Sequence, residues 1–178
     1  MDPAIVRAIN GLRSHRLDAL SLVLNSWGYY AIPAVAVAYA LWRRERREAA
    51  RARDVVLCWF AGLLLAEDVI KAFIHRPRPS ASAALHGVVH VLGRVPSATS
   101  YSFPSGTATA VFAASTAVWL GFGRRAGIPA TVVAAVVSLN RVYAGVHYAT
   151  DLVAGAAVGA GLAWLVHRLT VWIESGTP

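Results

Sequence analysis

Residues 141–166 read RVYAGVHYATDLVAGAAVGAGLAWLV, and the reading of this stretch decides the fold. Arg141, His147 and Asp151 come first, and no charged side chain follows from Leu152 to Val166. Extended to Trp172, the segment Thr150–Trp172 supplies the roughly 20 mostly apolar residues that a helix needs to cross a hydrocarbon core about 30 Å thick. An ionisable group at membrane depth is costly, so polar residues at the edge of such a span are functional candidates by default. The whole chain has the same character. Hydrophobic residues make up 57% of the 178 and mean hydropathy is +0.52, which is beyond soluble usage and points to an integral membrane protein.

Working outward, four more apolar segments are read, at about Ser26–Trp42, Val55–Ile74, Ser105–Phe122 and Ile128–Tyr143. Before them, Ile5, Val6, Ile9 and Leu12 are interleaved with Arg7, Arg13 and Arg16, a pattern suited to a helix lying in the membrane interface. The expected architecture is an all-α integral membrane protein forming one domain over residues 1–178. It has an N-terminal interfacial amphipathic helix over 1–24 and a bundle of about five transmembrane helices over 26–172. Residues 76–103 form the one long loop. Met1 to Arg16 lacks a continuous apolar core, so no cleavable signal is expected. Cys58, the single cysteine, lies in an apolar stretch and leaves no disulfide or cysteine-based metal site.

Net charge is +8, and much of the excess sits in the run Arg43 to Glu48, continued by Arg51 and Arg53. Such a run also fits nucleic acid, but a cytoplasmic loop between two spans explains it better, because Lys and Arg accumulate on that side. No nucleic-acid partner is therefore expected. With that loop inside, Arg124, Arg125 and Arg168 also fall inside, and the amino terminus and the 76–103 loop face out. Lys71, Ser105, Arg141 and His147 then all sit at outer ends of spans, a convergence that was not used to place the spans.

Each cluster has a plain and a chemical reading. His147 and Asp151 are four apart and share a face if a helix begins near Tyr148. A carboxylate bonded to one imidazole nitrogen would leave the other free as nucleophile or base. An ordinary Asp in a helix first turn fits equally well. Ser105-Gly106 after Pro104 is a normal helix start, and its free amides would also form an anion site. The run Arg76-Pro77-Arg78-Pro79 reads as a rigid basic exit from the membrane, but Lys71, two turns earlier, needs a partner. Glu67 and Asp68, four and three residues before it, are candidate counter-charges. Gly155 and Gly159 read as a close helix contact.

Together the clusters are specific. Lys71-x6-Arg78-Pro79, Pro104-Ser105-Gly106 and Arg141-x5-His147-x3-Asp151, in that order, resemble the type 2 phosphatidic acid phosphatase superfamily over about Val55 to Leu162. The resemblance implies a metal-free, cofactor-free phosphatase working through a phosphohistidine. His147 would be the nucleophile and Asp151 its orienting partner, while Lys71, Arg78, Arg141 and the Ser105 and Gly106 N–H groups would cradle the phosphoryl oxygens. Fixed cations and helix-start dipoles stabilise the charge spread over those oxygens. The implied partners are the bilayer and a lipid phosphate or diphosphate, met at the outer face of an inner membrane; nothing in the sequence sets the oligomeric state.

Asn140 replaces the Ser usual before the third-motif Arg, a minor change because Asn also donates hydrogen bonds. Thr107 stands where the family carries the His held to protonate the leaving oxygen, and a threonine hydroxyl cannot do this near neutral pH. Losing a general acid costs about 10²–10⁴ in rate. An alkoxide leaving group, like hydroxide with a parent pKa of about 16, needs that proton badly. A phosphate monoester leaving from a diphosphate, with a relevant pKa of about 6, needs little help. The substitution favours a polyprenyl diphosphate, such as the undecaprenyl carrier, as substrate. Three rivals stand beside it: a phospholipid or sugar-lipid monophosphatase, a lipid phosphotransferase, and a catalytically silent lipid-phosphate binder. His86 and His90 in the outer loop offer a replacement acid, a metal pair or plain loop histidines. Metal is disfavoured because no Glu or Cys ligand is near them.

Overall fold

The structure is a computed structural model that describes residues 2–85, 87–93, 97 and 100–176. Among these residues it is all-helical, with no strand. Its elements are α1 (Asp2–Asn10), α2 (His15–Ser26), a 3₁₀ turn (Gly28–Tyr30), α3 (Ala31–Arg43) and α4 (Arg46–Leu64). A π-turn (Leu65–Ile70) and the short α5 (Lys71–Phe73) extend α4, and a 3₁₀ turn (Pro79–Ala81) follows. Three longer helices follow, α6 (Gly106–Phe122), α7 (Arg124–Tyr143) and α8 (Ala149–Gly176).

Helix α6 is the hub, packed by α4, α7 and α8. Its inward residues are small, including Gly106, Ala108, Ala110, Ala113, Ala114, Ser115 and Ala117, so neighbouring backbones approach closely. Gly155 and Gly159 of α8 lie against the backbone of α6. A β-carbon at Gly155 would lie 2.8 Å from the Ser105 carbonyl, and one at Gly159 would overlap the Thr109 carbonyl. Outward, α7 and α8 expose Val132, Val136, Leu139, Val153 and Trp164, which form an apolar surface fitted to lipid rather than water.

Among the described residues, two helices are long and apolar enough to cross a membrane, Arg124–Tyr143 and Ala149–Ile173. The pair His15–Ser26 and Gly28–Arg43, bent by 45°, supplies a third if it is one span. The segment expected as a span at 105–122 is helical but has only 17 residues, Gly106–Phe122. The one expected at 55–74 is α4, which begins in the arginine-rich run and ends in the π-turn.

The amino-terminal stretch differs from the single interfacial helix expected over 1–24. It is two helices, because Ser14 caps α2 by accepting a hydrogen bond from the Leu17 amide and so restarts the chain. Helix α1 is docked rather than lying free. Val6 is fully buried in a cluster with Leu85, Ala108, Val142, Tyr148 and Leu152. The Asn10 side chain donates to the carbonyls of His90 and Tyr143 and accepts from the His90 amide, which fixes the chain at His90 to the end of α7.

Candidate active site

The site is built where the start of α8, the start of α6 and the end of α4–α5 meet. Its floor is made by two extended segments, with the Ser102 amide donating to the Arg76 carbonyl at 2.9 Å and the Ser102 hydroxyl to that of Pro77 at 3.3 Å. This pairing carries the Ser102 carbonyl to His147, whose Nδ1 lies 2.8 Å from it. Arg78 Nη1 donates to the Val146 carbonyl at 2.9 Å and lies 3.2 Å from His147 Nε2. A guanidinium has no acceptor, so Nε2 is the bare nitrogen and Nδ1 carries the proton to the Ser102 carbonyl. The imidazole is thus held as the tautomer in which Nε2 has a lone pair beside a cation.

His147 is buried, and burial pushes its pKa down to about 4, helped by the Arg78 and Arg141 charges and opposed by Asp151. At neutral pH the ring is uncharged and its Nε2 is available. Burial also lowers the pKa of Arg78 from its usual value, against the opposing pull of Glu67 and Asp151. The Arg78 guanidinium is held further by Ser100, whose hydroxyl accepts from Nη2 at 2.7 Å.

Asp151 is fully buried, but its carboxylate is not the nearest partner of the imidazole. Oδ2 lies 3.5 Å from Nδ1 and accepts from the Tyr148 amide at 2.8 Å, and Oδ1 accepts from Arg76 Nη1 at 2.7 Å. Asp151 therefore caps the first turn of α8 and orients His147 from behind, while the Ser102 carbonyl takes the expected role of fixing the tautomer.

Ser105 is the N-cap of α6, its hydroxyl oxygen accepting from the Ala108 amide at 3.4 Å. Its own amide donates to the Asp151 carbonyl at 3.1 Å, so the expected Ser105 N–H contact to phosphate gives way to this bond. The amides of Gly106 and Thr107 open the helix and have no intrahelical partner. Thr107 is half-buried in that first turn. Lys71, buried at the end of the π-turn, donates from Nζ to Glu67 Oε1 at 2.6 Å. Asp68 is exposed and makes no ion pair among the described residues. In a π-turn the bonds run five residues back, as from the Lys71 amide to the Ala66 carbonyl, so a side chain three residues away is rotated off the shared face. Arg141 Nη1 donates to Asn25 Oδ1 at 2.6 Å, and its buried Nε has no partner among the described residues. A buried donor of that kind fits an anion.

His90 is exposed and is held through its backbone by Asn10, and His86 lies outside the described residues. Among the described residues no group of three His, Cys, Asp or Glu could hold a metal.

Sequence reasoning missed Arg76, which joins Asp151 to Asp2 and lies 3.9 Å over the Tyr148 ring. It also missed Asp2 itself, which accepts from the Thr150 hydroxyl and so ties the amino terminus to the start of α8. Arg76 belonged to a run already singled out, but its partners are 74 and 75 residues away and left no local signal.

A buried bare imidazole nitrogen beside the Arg78 guanidinium is chemically able to receive a phosphoryl group. The family model of the PAP2 superfamily matches residues 51–174. The chain belongs to the PAP2 superfamily. It is 26% identical to undecaprenyl-diphosphatase BcrC of Bacillus subtilis over 175 residues, 96% of this chain and 84% of that one. It is 36% identical to the decaprenylphosphoryl-5-phosphoribose phosphatase of Mycobacterium tuberculosis over 110 residues, 60% of this chain and 56% of that one. Its fold is similar to that of Aquifex aeolicus LpxE, with a TM-score of 0.72 and 24% identity, covering 92% of this chain and 93% of that one. The similarity to LpxE carries the fold alone. The phosphatase activity follows from the superfamily and from the motifs, which fall within the matched residues.

Proposed function

We propose that this membrane phosphatase hydrolyses a polyprenyl diphosphate at the outer face of the cell membrane, within a five-span bundle. The observation that carries the reading is His147, with Nδ1–H held on the Ser102 carbonyl and Nε2 bare beside Arg78. Nε2 attacks the terminal phosphorus as the bond to the bridging oxygen breaks, and the lipid monophosphate leaves. Lys71, Arg78, Arg141 and the Gly106 and Thr107 amides neutralise the charge on the equatorial oxygens, with the Ser105 hydroxyl as a further donor. The ring becomes cationic on phosphorylation, and Asp151 behind it offsets that charge. Water then hydrolyses the phosphohistidine and frees inorganic phosphate.

Thr107 favours the diphosphate, because a leaving phosphate monoester departs without a proton. The BcrC name agrees with that class. The mycobacterial relative instead acts on a lipid-linked sugar phosphate, and its similarity keeps a monophosphate as the second reading. Purified protein should release inorganic phosphate faster from a polyprenyl diphosphate than from the matching monophosphate, at equal lipid concentration. A parent that prefers the monophosphate would replace the first reading with the second. No release from either lipid, or from a phospholipid or sugar-lipid panel, would leave a silent binder.

The orientation rests on the arginine-rich turn between α3 and α4. In a Cys58→Ala background, Arg47→Cys should be shielded from a membrane-impermeant thiol reagent in intact cells and Ala84→Cys labelled, both positions being exposed on the protein. The reverse pattern would put the site in the cytoplasm.

A further inference from the structure

We infer that Glu67 is the general base of this site, taking the proton from the water that hydrolyses the phosphohistidine. The inference rests on the phosphohistidine reading above and adds a residue to it. A threonine at 107 cannot handle a proton near neutral pH. Asp151, the other acid nearby, is fully buried with both oxygens engaged, by Arg76 and by the Tyr148 amide. Glu67 differs on each count. Its side chain is 42% exposed on the protein, whereas that of Asp151 has no open surface. Only Oε1 is bonded to a described residue, to Lys71 Nζ at 2.6 Å, and Oε2 is left open.

Its position is the second observation. A β-carbon at Gly106 would overlap Glu67 Oε1, so the carboxylate rests on the first residue of α6, beside the amides assigned above to the phosphoryl group. The glycine thus makes room for this carboxylate. Lys71, which Glu67 holds through Oε1, is one of the cations assigned to the phosphoryl group, so the carboxylate adjoins the proposed cradle. Glu67 itself lies in the π-turn Leu65–Ile70. Single π-turns within α-helices recur at functional sites.

The step balances without another reagent. The water oxygen bonds to phosphorus as one of its protons passes to Glu67. The P–Nε2 bond breaks and its electron pair returns to the imidazole, which becomes neutral with Nδ1 still protonated. Phosphate leaves, and Glu67 releases the proton to solvent through its exposed edge. Water has a pKa of about 16, so this half-reaction needs help even where the first, with a diphosphate, does not.

The test separates the two half-reactions. Glu67→Gln keeps an oxygen for Lys71 but cannot take a proton. With a lipid diphosphate labelled in the terminal phosphate and acid-free quenching, the labelled phosphoprotein should form at close to the parental rate. It should then accumulate toward one per chain while steady-state turnover falls by about 10²–10⁴. Glu67→Asp, which retains a carboxylate, should keep more turnover and accumulate less label. If turnover falls with no accumulation, Glu67 serves only as the counter-charge of Lys71 and the inference is overturned. Unchanged turnover overturns it as well. Label absent from the parent and from both variants would sink the phosphohistidine reading together with it.

Discussion

His147→Ala should abolish turnover and leave no acid-labile phosphoprotein when the protein is quenched with labelled lipid diphosphate. Loss of a covalent nucleophile that acts as a unit with its partners reaches a factor on the order of 10⁶. The variant also leaves the Ser102 carbonyl and Arg78 Nη1 short of a partner, so a folding control is needed. His147→Gln supplies it, because an amide can still donate to that carbonyl. A folded, inactive Gln variant assigns the loss to the nucleophile, and substantial activity in either variant would sink the covalent mechanism. The pH behaviour follows from burial. The native ring stays neutral down to a pKa of about 4, so the limb of kcat/KM belonging to His147 should lie well below the 6.5 of an ordinary histidine. The unfolded chain takes up that proton first. Between about 6.5 and 4 the unfolded state therefore binds more protons, and the His147 contribution makes stability fall as pH drops through that window.

What the sequence made legible follows from distance along the chain. Lys71 with Glu67 and His147 with Asp151 are four apart, and helical spacing placed each pair on one side before any coordinates. Ser105-Gly106 announced a helix start, and Gly155 with Gly159 announced a close contact that proves to be with α6. The parts that stayed hidden are all long-range. The Ser102 carbonyl reaches His147 across 45 residues, Asn25 meets Arg141 across 116, and Asp2 meets Thr150 across 148. A backbone carbonyl also has no residue type to betray it. The division of labour at Asp151 was illegible for the same reason, since it depends on Arg76 arriving from a different segment. The split of the amino-terminal stretch was in principle readable, because Ser14 with Asp18 just beyond is a capping signal. The apolar alternation through Leu12 masked it.

Thr107→His should raise monophosphate turnover far more than diphosphate turnover. An alkoxide must be protonated as it departs, and restoring an imidazole at the start of α6 supplies up to ~10²–10⁴ in rate, or roughly 3–5 kcal/mol of barrier. A departing phosphate monoester gains little from the same proton. The quantity to measure is the ratio of kcat/KM for the two lipids, in parent and variant, so that changes in protein quality cancel. Thr107 is half-buried and its side chain is engaged in no hydrogen bond among the described residues, so the exchange removes no polar contact there. Imidazole is larger, however, and the first turn of α6 adjoins the Glu67 carboxylate at Gly106. A histidine that ion-pairs with Glu67 instead of reaching the leaving oxygen would lower turnover of both lipids together, and the ratio identifies that outcome. A parent that already prefers the monophosphate, and loses that rate in His90→Ala or His86→Ala, would show a loop histidine supplying the proton. In that case the threonine says nothing about the substrate, and the case for a diphosphate fails.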